Sequence, residues 1–391
     1  MKRPVFLVRI ARELRVFRFA SLYYRTRPVG FAHRQRAAAD RPGVRDGYRG
    51  LRMAGLDRQA TAARRGRSHR IDVHHHIFPP DFLIEQGKLN PAWGRQYPPK
   101  SVEHWTPQTA IDEMDRNGVA AAIVSMSTAP GLWFGDRKAA CRLARMWNEY
   151  AADLVRDHPG RFGMFAALPL LDIDGTLREI EYAIDVLKAD GVQLISNYDG
   201  KYPGDPLFRP VLDELNRRKA VAIVHPTVPP ACVNMIPGVL PRTVEFVFDS
   251  TRAIVSLVLS GTTSQLPDMS LIFCHGGGTL PMLAGRIEEL THGERDRTER
   301  IPRGIEFELK KLYYETANAY HLPAFAALKA FARPERILFG TDFPYVTTAT
   351  NCAGLEQAGA SPQLLRAVEA ENALTLFPRF KEAREIALSS A

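Results

Sequence analysis

Cysteine is scarce in this chain and long apolar runs are missing, and each shortage excludes a class of protein. The four cysteines, Cys141, Cys232, Cys274 and Cys352, lie far apart and form no C-x-x-C pair. A disulfide framework or a structural zinc knuckle is therefore not expected, and reduced thiols fit a cytoplasmic protein. No run approaches the roughly 18 apolar residues of a membrane-spanning helix. With 45% hydrophobic and 24% charged residues, the 391-residue chain is typical of a globular protein.

Acidic residues are rare in the first 70 residues, which hold 19 Lys and Arg against 4 Asp and Glu. The other 321 residues hold 33 Lys and Arg against 39 Asp and Glu. The formal net charge of +9 therefore comes from the first 70 residues, the basic leader. Since the body is mildly acidic, its charge gives no reason to expect nucleic acid or a membrane surface as a partner.

The leader has three interpretations. Its Arg-rich segment Phe6–Arg27 resembles an organelle transit peptide, and a basic arm that contacts polyanions is a second possibility. We favour the third, an extension outside the fold, because the regular strand pattern begins only at Arg70. The predicted organisation is thus a basic N-terminal extension, residues 1–68, followed by one domain, residues 69–391.

A Gly-rich phosphate loop is also missing after the first predicted strand, where the sequence reads DVHHHIFPP. A doubly wound open sheet usually carries such a loop. Its absence favours the other common parallel architecture, the closed barrel.

Short apolar runs alternate with amphipathic segments from residue 70 onward. Runs of four to eight residues rich in Val, Ile, Leu or Phe are typical of strands buried on both faces. The predicted strands are Arg70–His75, Ala120–Ser125, Phe162–Leu168, Val192–Ser196, Ala220–His225, Leu271–His275, Leu312–Thr316 and Ile337–Thr341. The predicted helices are Pro107–Asn117, Lys138–Asp157, Gly175–Ala189, Leu207–Arg218, Val244–Ser260, Leu280–Leu290, Leu322–Ala332 and Ser361–Phe377. Eight β-then-α units predict an α/β fold, the (β/α)₈ TIM barrel.

Metal-binding side chains recur where the predicted strands end. Active sites of such barrels lie at the carboxyl ends of the strands. His74 and His76 point to the same side because a strand alternates with period two, whereas His75 points away. Strand 5 ends at His225, and strand 8 leads to Asp342. Three imidazoles and one carboxylate form a set that suits Zn²⁺ and leaves room for a substrate.

His275 ends strand 6 and precedes three glycines. We interpret it as an acid/base beside the metal, since an imidazole titrates near neutral pH, with a ligand role as the alternative. The glycines Gly276–Gly278 suggest backbone close to a bound anion. Arg286, in the next helix, is a candidate clamp for a substrate carboxylate, although a solvated helix face would also explain it.

The strings IDVHHHIFPP, CHGGGTLPMLAGRI and ILFGTDFPY resemble the amidohydrolase superfamily, over residues 70–378. They are most similar to its decarboxylase branch, typified by the aminocarboxymuconate-semialdehyde, γ-resorcylate and 6-methylsalicylate decarboxylases. The segment WTPQTAIDEMDRNGVAAAIVSMSTAPG is most similar to the 6-methylsalicylate type. The resemblance implies a metal bound by His74, His76, His225 and Asp342, with His275 as the catalytic histidine, and protonation by Asp342 or through His275. It also implies that Arg286 contacts the carboxylate across a homodimer interface.

Two departures from the superfamily narrow the expectation. Hydrolytic members commonly place a carboxylated lysine after strand 4, where this chain has Asn197, so one metal ion is expected rather than two. The preferred ion is Zn²⁺, because His74 stands where the γ-resorcylate type has a Glu; Mn²⁺ is the alternative. In the semialdehyde type a further Arg before strand 2 binds a second carboxylate, and the comparable stretch here, SVEHWTPQ, has no obvious equivalent. A 2-hydroxybenzoate-like monocarboxylate is therefore the expected small-molecule substrate.

The expected function is a non-oxidative, metal-dependent carboxy-lyase that releases CO₂ from an aromatic or unsaturated carboxylic acid. Asn197, Trp133, Phe134 and Phe343 are candidate substrate contacts on the loops after strands 4, 2 and 8. A mononuclear hydrolase of an amide or lactone is the main alternative. A non-catalytic metal-binding barrel is a third, less favoured because strand ends are where barrels place chemistry.

Overall fold

The computed structural model describes residues 69–89, 102, 104–127 and 136–381. The predictions for residues 1–68 and for Trp133 and Phe134 lie outside these described residues. The boundary between the extension and the domain at residue 69 stays a prediction. Among the described residues, no helix is long and apolar enough to cross a membrane.

Eight parallel strands form one sheet, each beside its neighbour in chain order. They are β1 Arg70–Ile77, β2 Val119–Met126, β3 Phe162–Ala167, β4 Gly191–Ile195, β5 Val221–His225, β6 Ser270–Phe273, β7 Tyr313–Glu315 and β8 Ile337–Leu338. The last strand returns to the first: the Val73 amide donates to the Phe339 carbonyl at 3.0 Å, and the Asp342 amide donates to the His74 carbonyl at 2.8 Å. The predicted (β/α)₈ barrel is confirmed.

The helices of eight residues or more surround this sheet, and their bounds are Pro80–Leu89, Pro107–Arg116, Arg137–Asp157, Ile173–Glu181, Arg209–Arg217, Glu245–Leu259, Leu280–Thr291, Leu322–Phe331 and Thr348–Gln357. Shorter helices occupy Thr262–Gln265, Arg297–Arg300, Ile305–Lys311, Pro362–Arg366 and Asn372–Leu376. The predicted helix Ser361–Phe377 is not one α-helix. A π-helical segment, Ala367–Glu371, lies between the short helices Pro362–Arg366 and Asn372–Leu376. Side-chain caps at Thr106, Asp136, Asp172 and Ser361 begin four of the helices, as expected for these residue types.

An apolar layer fills the barrel interior. Alternate residues of successive strands contribute to it, and all are nearly inaccessible: Ile71, Val73, Ile123, Phe165, Ile223, Ile272 and Leu338. Phe377 and Phe380, from the C-terminal segment, belong to the same cluster. Such branched and aromatic layers make the interior of a small barrel a packed core rather than a pore.

The polar site lies one step along the strands from this layer. Because strand side chains alternate, His225 faces the same side as Ile223, and Glu315 the same side as Tyr313. In β1 the register against β2 shifts between Asp72 and His75. A bulge of this kind inserts a residue and changes which face the following side chains point to. The bulge explains why Val73 faces the interior and why His74 and His76, which follow it, also face the interior.

Candidate metal centre

Four buried side chains meet at the carboxyl end of the barrel: His74 and His76 from β1, His225 from β5 and Asp342 after β8. One donor atom from each lies within 4.8 Å of all the others. The two Nε2 atoms of the β1 pair are 3.0 Å apart, and Asp342 Oδ1 lies 3.1 Å from His76 Nε2. None of the four exposes more than 9% of its surface. The structure thus brings together all four residues predicted as ligands.

The other ring nitrogen of each histidine is held by an acceptor. His74 Nδ1 donates to Glu315 Oε1 at 2.9 Å. His76 Nδ1 donates to the Ser125 carbonyl at 3.2 Å, and His225 Nδ1 donates to the Pro226 carbonyl at 2.8 Å. These bonds assign the lone pair of each ring to Nε2.

Three imidazole lone pairs and one carboxylate oxygen therefore face one largely buried point. Buried acceptors at such short separation repel one another unless a cation lies between them. Nitrogen and carboxylate donors in this number are the set that divalent first-row ions bind. The donor set fits one divalent metal ion.

The charge balance around His74 has two opposing contributions. Burial alone would lower the pKa of this imidazole, but the neighbouring Cys274 and Glu315 outweigh burial and raise the pKa of His74 well above its ordinary value. Burial also raises the pKa of the Cys274 thiol to about 12, so that thiol is neutral near pH 7. Glu315 is therefore the neighbour whose charge favours a positive charge at His74, which either a second proton or a cation bound at Nε2 would supply.

The other candidate ligands are shifted toward the forms that bind a metal. Burial, followed by the repulsion of the neighbouring imidazoles, lowers the pKa of His225 well below its ordinary value. Burial would raise the pKa of Asp342, but the hydrogen bond from His76 and the nearby imidazoles lower it overall. A neutral imidazole and an ionised carboxylate are the forms that bind a metal.

His275 lies beside this cluster, with its ring centroid 5.2 Å from that of His74 and 5.6 Å from that of His225. Its Nδ1 donates to the Ala317 carbonyl at 3.3 Å, which leaves Nε2 as the nitrogen for acid/base work. Burial lowers the pKa of His275. The backbone is left-handed here, with φ of 56° at His275 and 61° at Asp342. Non-glycine residues are seldom found in this region, and such strain is typical of functional sites.

The three glycines after His275 have a structural explanation. All three have positive φ, which glycine adopts without cost. A Cβ on Gly277 would lie 2.7 Å from the Tyr314 ring, and a Cβ on Gly276 would lie 2.9 Å from Ala319 Cβ. These contacts give the glycines a packing role, and the expectation that they bring backbone close to a bound anion stays a prediction.

Two buried carboxylates that the sequence analysis did not single out support the site. Glu315, at the end of β7, contacts His74 as described. Asp72 Oδ1 accepts from the His74 and Thr341 amides at 3.0 and 3.1 Å, and so ties β1 to the residue before Asp342. The available signal was the same as for the histidines: an ionisable residue at the end of an apolar strand run.

The predicted substrate contacts are placed less favourably. The Asn197 amide donates to Asp249 Oδ2 at 2.6 Å and its oxygen accepts from the Gly200 amide at 3.1 Å. These bonds engage both ends of the side chain. Phe343 stacks on His75, with ring centroids 4.7 Å apart; His75 is not one of the four cluster residues. Their roles as substrate contacts stay predictions, and these contacts do not support them.

Different side chains lie next to the ligand rings. Phe246 and Tyr345 pack edge-on against His225 and His76, with centroids 5.9 and 5.8 Å apart. The Asn318 amide donates to Asp342 Oδ2 at 3.1 Å, and Asn318 itself is exposed. These three residues were not predicted from the sequence, because no strand or helix pattern reports which side chains turn toward a site; Phe246 lies at the start of helix Glu245–Leu259, and Asn318 and Tyr345 lie on loops.

Comparison with known proteins agrees with this geometry. A family model described as Amidohydrolase matches residues 71–379. This chain belongs to the amidohydrolase family. The family resemblance expected from the motifs is thus confirmed, and the match spans all eight strands except the first residue of β1.

Curated relatives of this amidohydrolase are decarboxylases. Decarboxylase macB of Penicillium terrestre is 35% identical over 334 residues, which cover 80% of this chain and 96% of that protein. The 6-methylsalicylic acid decarboxylase of Penicillium expansum is 34% identical over 331 residues, covering 80% of this chain and 97% of that protein.

A solved structure shares the fold. The dihydroxybenzoic acid decarboxylase of Polaromonas sp. JS666, crystallised with manganese and the inhibitor 2-nitroresorcinol, superposes with a TM-score of 0.70 at 21% identity. The alignment covers 80% of this chain and 97% of that one. At this identity the likeness establishes the barrel architecture.

Proposed function

We propose that this protein is a metal-dependent, non-oxidative decarboxylase that releases CO₂ from a 2-hydroxybenzoate-like acid. The observation that carries the proposal is the buried convergence of three imidazoles and Asp342, with His275 beside them, in an amidohydrolase barrel whose curated relatives are decarboxylases.

The proposed metal ligands are His74, His76, His225 and Asp342. Zn²⁺ is our first choice, because nitrogen donors and one carboxylate match its usual catalytic sites. Mn²⁺ is the second, since a neighbour of the same fold binds it. When bound, the ion supplies Lewis acidity and a fixed template for substrate oxygens. The free state of all four cysteines is in keeping with a reducing, cytoplasmic setting.

The side chains of this chain would perform the proton transfer. We assign the proton delivery to a water polarised by His275 through Nε2, with Asp342 as the alternative donor. The donated proton forms a C–H bond at the ring carbon that bears the carboxylate. The C–C bond to the carboxylate then breaks, CO₂ leaves, and the electron pair of the broken bond restores the aromatic ring. The rings of Phe246 and Tyr345 would exclude water from this step.

Arg286 extends the proposal to a homodimer. It is exposed on the helix Leu280–Thr291, and on the same helix Met282 and Leu290 expose 76% and 66% of their surface. Large apolar side chains exposed together are typical of contact surfaces. We propose that this helix packs against a second copy, in whose site Arg286 binds the substrate carboxylate.

A substrate panel tests the proposed function. The full chain, loaded with Zn²⁺ or Mn²⁺, should release labelled CO₂ from carboxyl-¹³C 2-hydroxybenzoates, including the 6-methyl and 6-hydroxy forms. The 3- and 4-hydroxy isomers should be inert, because they lack the neighbouring oxygen. Hydrolysis of amides or lactones without any CO₂ release would overturn the proposal in favour of the hydrolase alternative.

Mixed dimers test the role of Arg286. H275A and R286A should each be inactive alone. Co-expressed, the two variants form heterodimers in which one site has both an intact His275 and the partner's intact arginine, so about a quarter of wild-type activity should return. Activity that stays absent in the mixture, with heterodimers verified by tagged purification, would contradict an Arg286 that acts across the interface.

A further inference from the structure

Glu315 accepts three hydrogen bonds from residues in and beside the candidate metal centre. It ends β7, is completely buried, and lies behind the ligands rather than among the four donors. Its Oε1 accepts from His74 Nδ1 at 2.9 Å and from the His275 amide at 2.6 Å. Its Oε2 accepts from the Ala317 amide at 2.5 Å. One carboxylate therefore joins a proposed ligand to the backbone of the proposed acid/base.

We infer that Glu315 is a positioning residue that fixes His74 as a metal ligand through Nε2 and holds the backbone of His275 in place. This inference rests on the proposed metal site and deepens it; it does not depend on which reaction the site performs.

The first part of the inference follows from hydrogen-bond chemistry. An ionised carboxylate only accepts, so the His74 nitrogen that faces it must carry the proton. The lone pair then belongs to Nε2, which faces His76 Nε2 and Asp342. A carboxylate behind a metal-bound histidine orients the ring and raises its basicity as a ligand.

The second part follows from the backbone. His275 is left-handed, with φ of 56°, a conformation that persists only when the surroundings enforce it. Its amide donates to Glu315, and its carbonyl accepts from the Gly278 amide at 3.0 Å. The same carboxylate that orients the ligand ring thus holds the peptide that aims the His275 side chain.

Glu315 could instead be read as a ligand, because it forms a second compact group with His74 and His275. Its hydrogen bonds oppose this. Both oxygens accept from backbone amides, and a cation at Oε1 would displace the His74 and His275 donors. Direct coordination would therefore require the β6 and β7 ends to rearrange.

The glutamine variant E315Q tests the inference. Glutamine has the shape of glutamate but carries an NH₂ in place of one oxygen, so it must turn a donor toward at least one of the three N–H groups. We expect the metal to bind about 10–100-fold more weakly, measured by competition with a chelator. The visible spectrum of the Co²⁺-loaded variant should also change, because the orientation of His74 changes.

The matched control is E308Q. Glu308 is as deeply buried, at 1% exposure, but pairs with Lys311 at 2.5 Å in the helix that precedes β7. Its metal affinity and Co²⁺ spectrum should match the wild type. If Glu315 only fills space, the equally shaped glutamine should behave as E308Q does. Metal affinity within twofold of wild type and an unchanged spectrum in E315Q would overturn the inference.

A measurement on the unmodified protein keeps the inference testable if E315Q does not fold. In a crystal structure of the metal-loaded wild type, we expect Glu315 within hydrogen-bond distance of His74 Nδ1, with Nε2 toward the ion. Glu315 bound directly to the ion would overturn it. A wild type that binds one metal ion but decarboxylates nothing would contradict the proposed function and leave this inference intact.

Discussion

The two ends of the barrel are built on opposite principles. Toward the amino end, the interior is apolar, and Phe377 packs edge-on against Phe165 with centroids 5.8 Å apart. Glu369, in the π-helical segment Ala367–Glu371, pairs there with Arg70 at 2.7 Å and with His69 at 2.7 Å. At the carboxyl end, buried acceptors converge, and the neighbouring residues His275, Asn318 and Asp342 have left-handed backbone. The first arrangement stabilises the fold, whereas the second accepts repulsion between buried acceptors, which a bound cation would relieve.

This contrast has a thermodynamic meaning. Burying polar groups that are not compensated destabilises a protein, so the carboxyl end depends on the stability supplied by the layer below it. Substitutions at the two ends should therefore have different measurable effects. Those at the carboxyl end should change metal binding or turnover, and those at the amino end should change the free energy of unfolding.

The largest effect is expected from H275A. Removing the proposed acid/base should lower kcat/KM by about 10²–10⁴-fold. The metal content should stay at the wild-type level, because the four ligands are untouched. Elemental analysis and the initial rate of CO₂ release provide the two readouts. Full activity in this variant would contradict the role given to His275.

At the opposite end, F377A should cost about 3–5 kcal/mol of stability, since it removes a buried aromatic ring from the inner cluster. Denaturant unfolding of the metal-free protein measures this loss. Metal affinity at a temperature where the variant remains folded should be that of the wild type. A large loss of metal affinity would show that the two ends are not separable.

Metal removal should lower the stability of the fold through the carboxyl end, where the candidate ligands lie. With free metal at 100 times its Kd, binding should stabilise the fold by about 2.7 kcal/mol, and chelation should abolish that gain. Thermal unfolding with and without chelator gives the comparison. In H225A the difference should shrink strongly, and an undiminished metal-dependent shift in that variant would place the ion elsewhere.

The smallest effect is expected from E369Q, which weakens the ion pairs with Arg70 and His69 by about 1–3 kcal/mol. Burial raises the pKa of Glu369, but the hydrogen bond from His69 and the charge of Arg70 lower it below its ordinary value of 4.5. A carboxyl whose pKa is lowered by folding stabilises the protein above its ordinary pKa. The difference between wild type and variant should thus be largest near pH 7 and disappear as pH falls below 4.5. A difference that grows on acidification would contradict this account.

The sequence predicted that His74, His76, His225 and Asp342 lie together, because strand alternation alone places His74 with His76, and a barrel brings all strand ends together. The four residues do lie together, and the eight predicted strands are present; that the four residues bind a metal stays a prediction. Glu315 follows the same rule but was not predicted, because the prediction rested on strand ends with His or Asp.

Other features depend on contacts that no local pattern encodes. The hydrogen bond between Asn197 and Asp249 joins a strand end to a distant helix, so no local pattern shows that the Asn197 amide is bonded within the protein. The bulge in β1 places the His74 side chain on the same side of the strand as Val73, whereas a strict period of two predicts opposite sides. Helix Thr348–Gln357, after β8, has only a weak apolar periodicity and was not predicted.

The most direct test of the central claim is a titration of metal-free protein with Zn²⁺ or Mn²⁺ while CO₂ release from a carboxyl-labelled 2-hydroxybenzoate is followed. The four converging donors predict no activity without metal, a rise in proportion to added ion, and a plateau at one equivalent per chain. Activity in the fully chelated protein, or a plateau only at two equivalents, would contradict a single-metal decarboxylase at this end of the barrel.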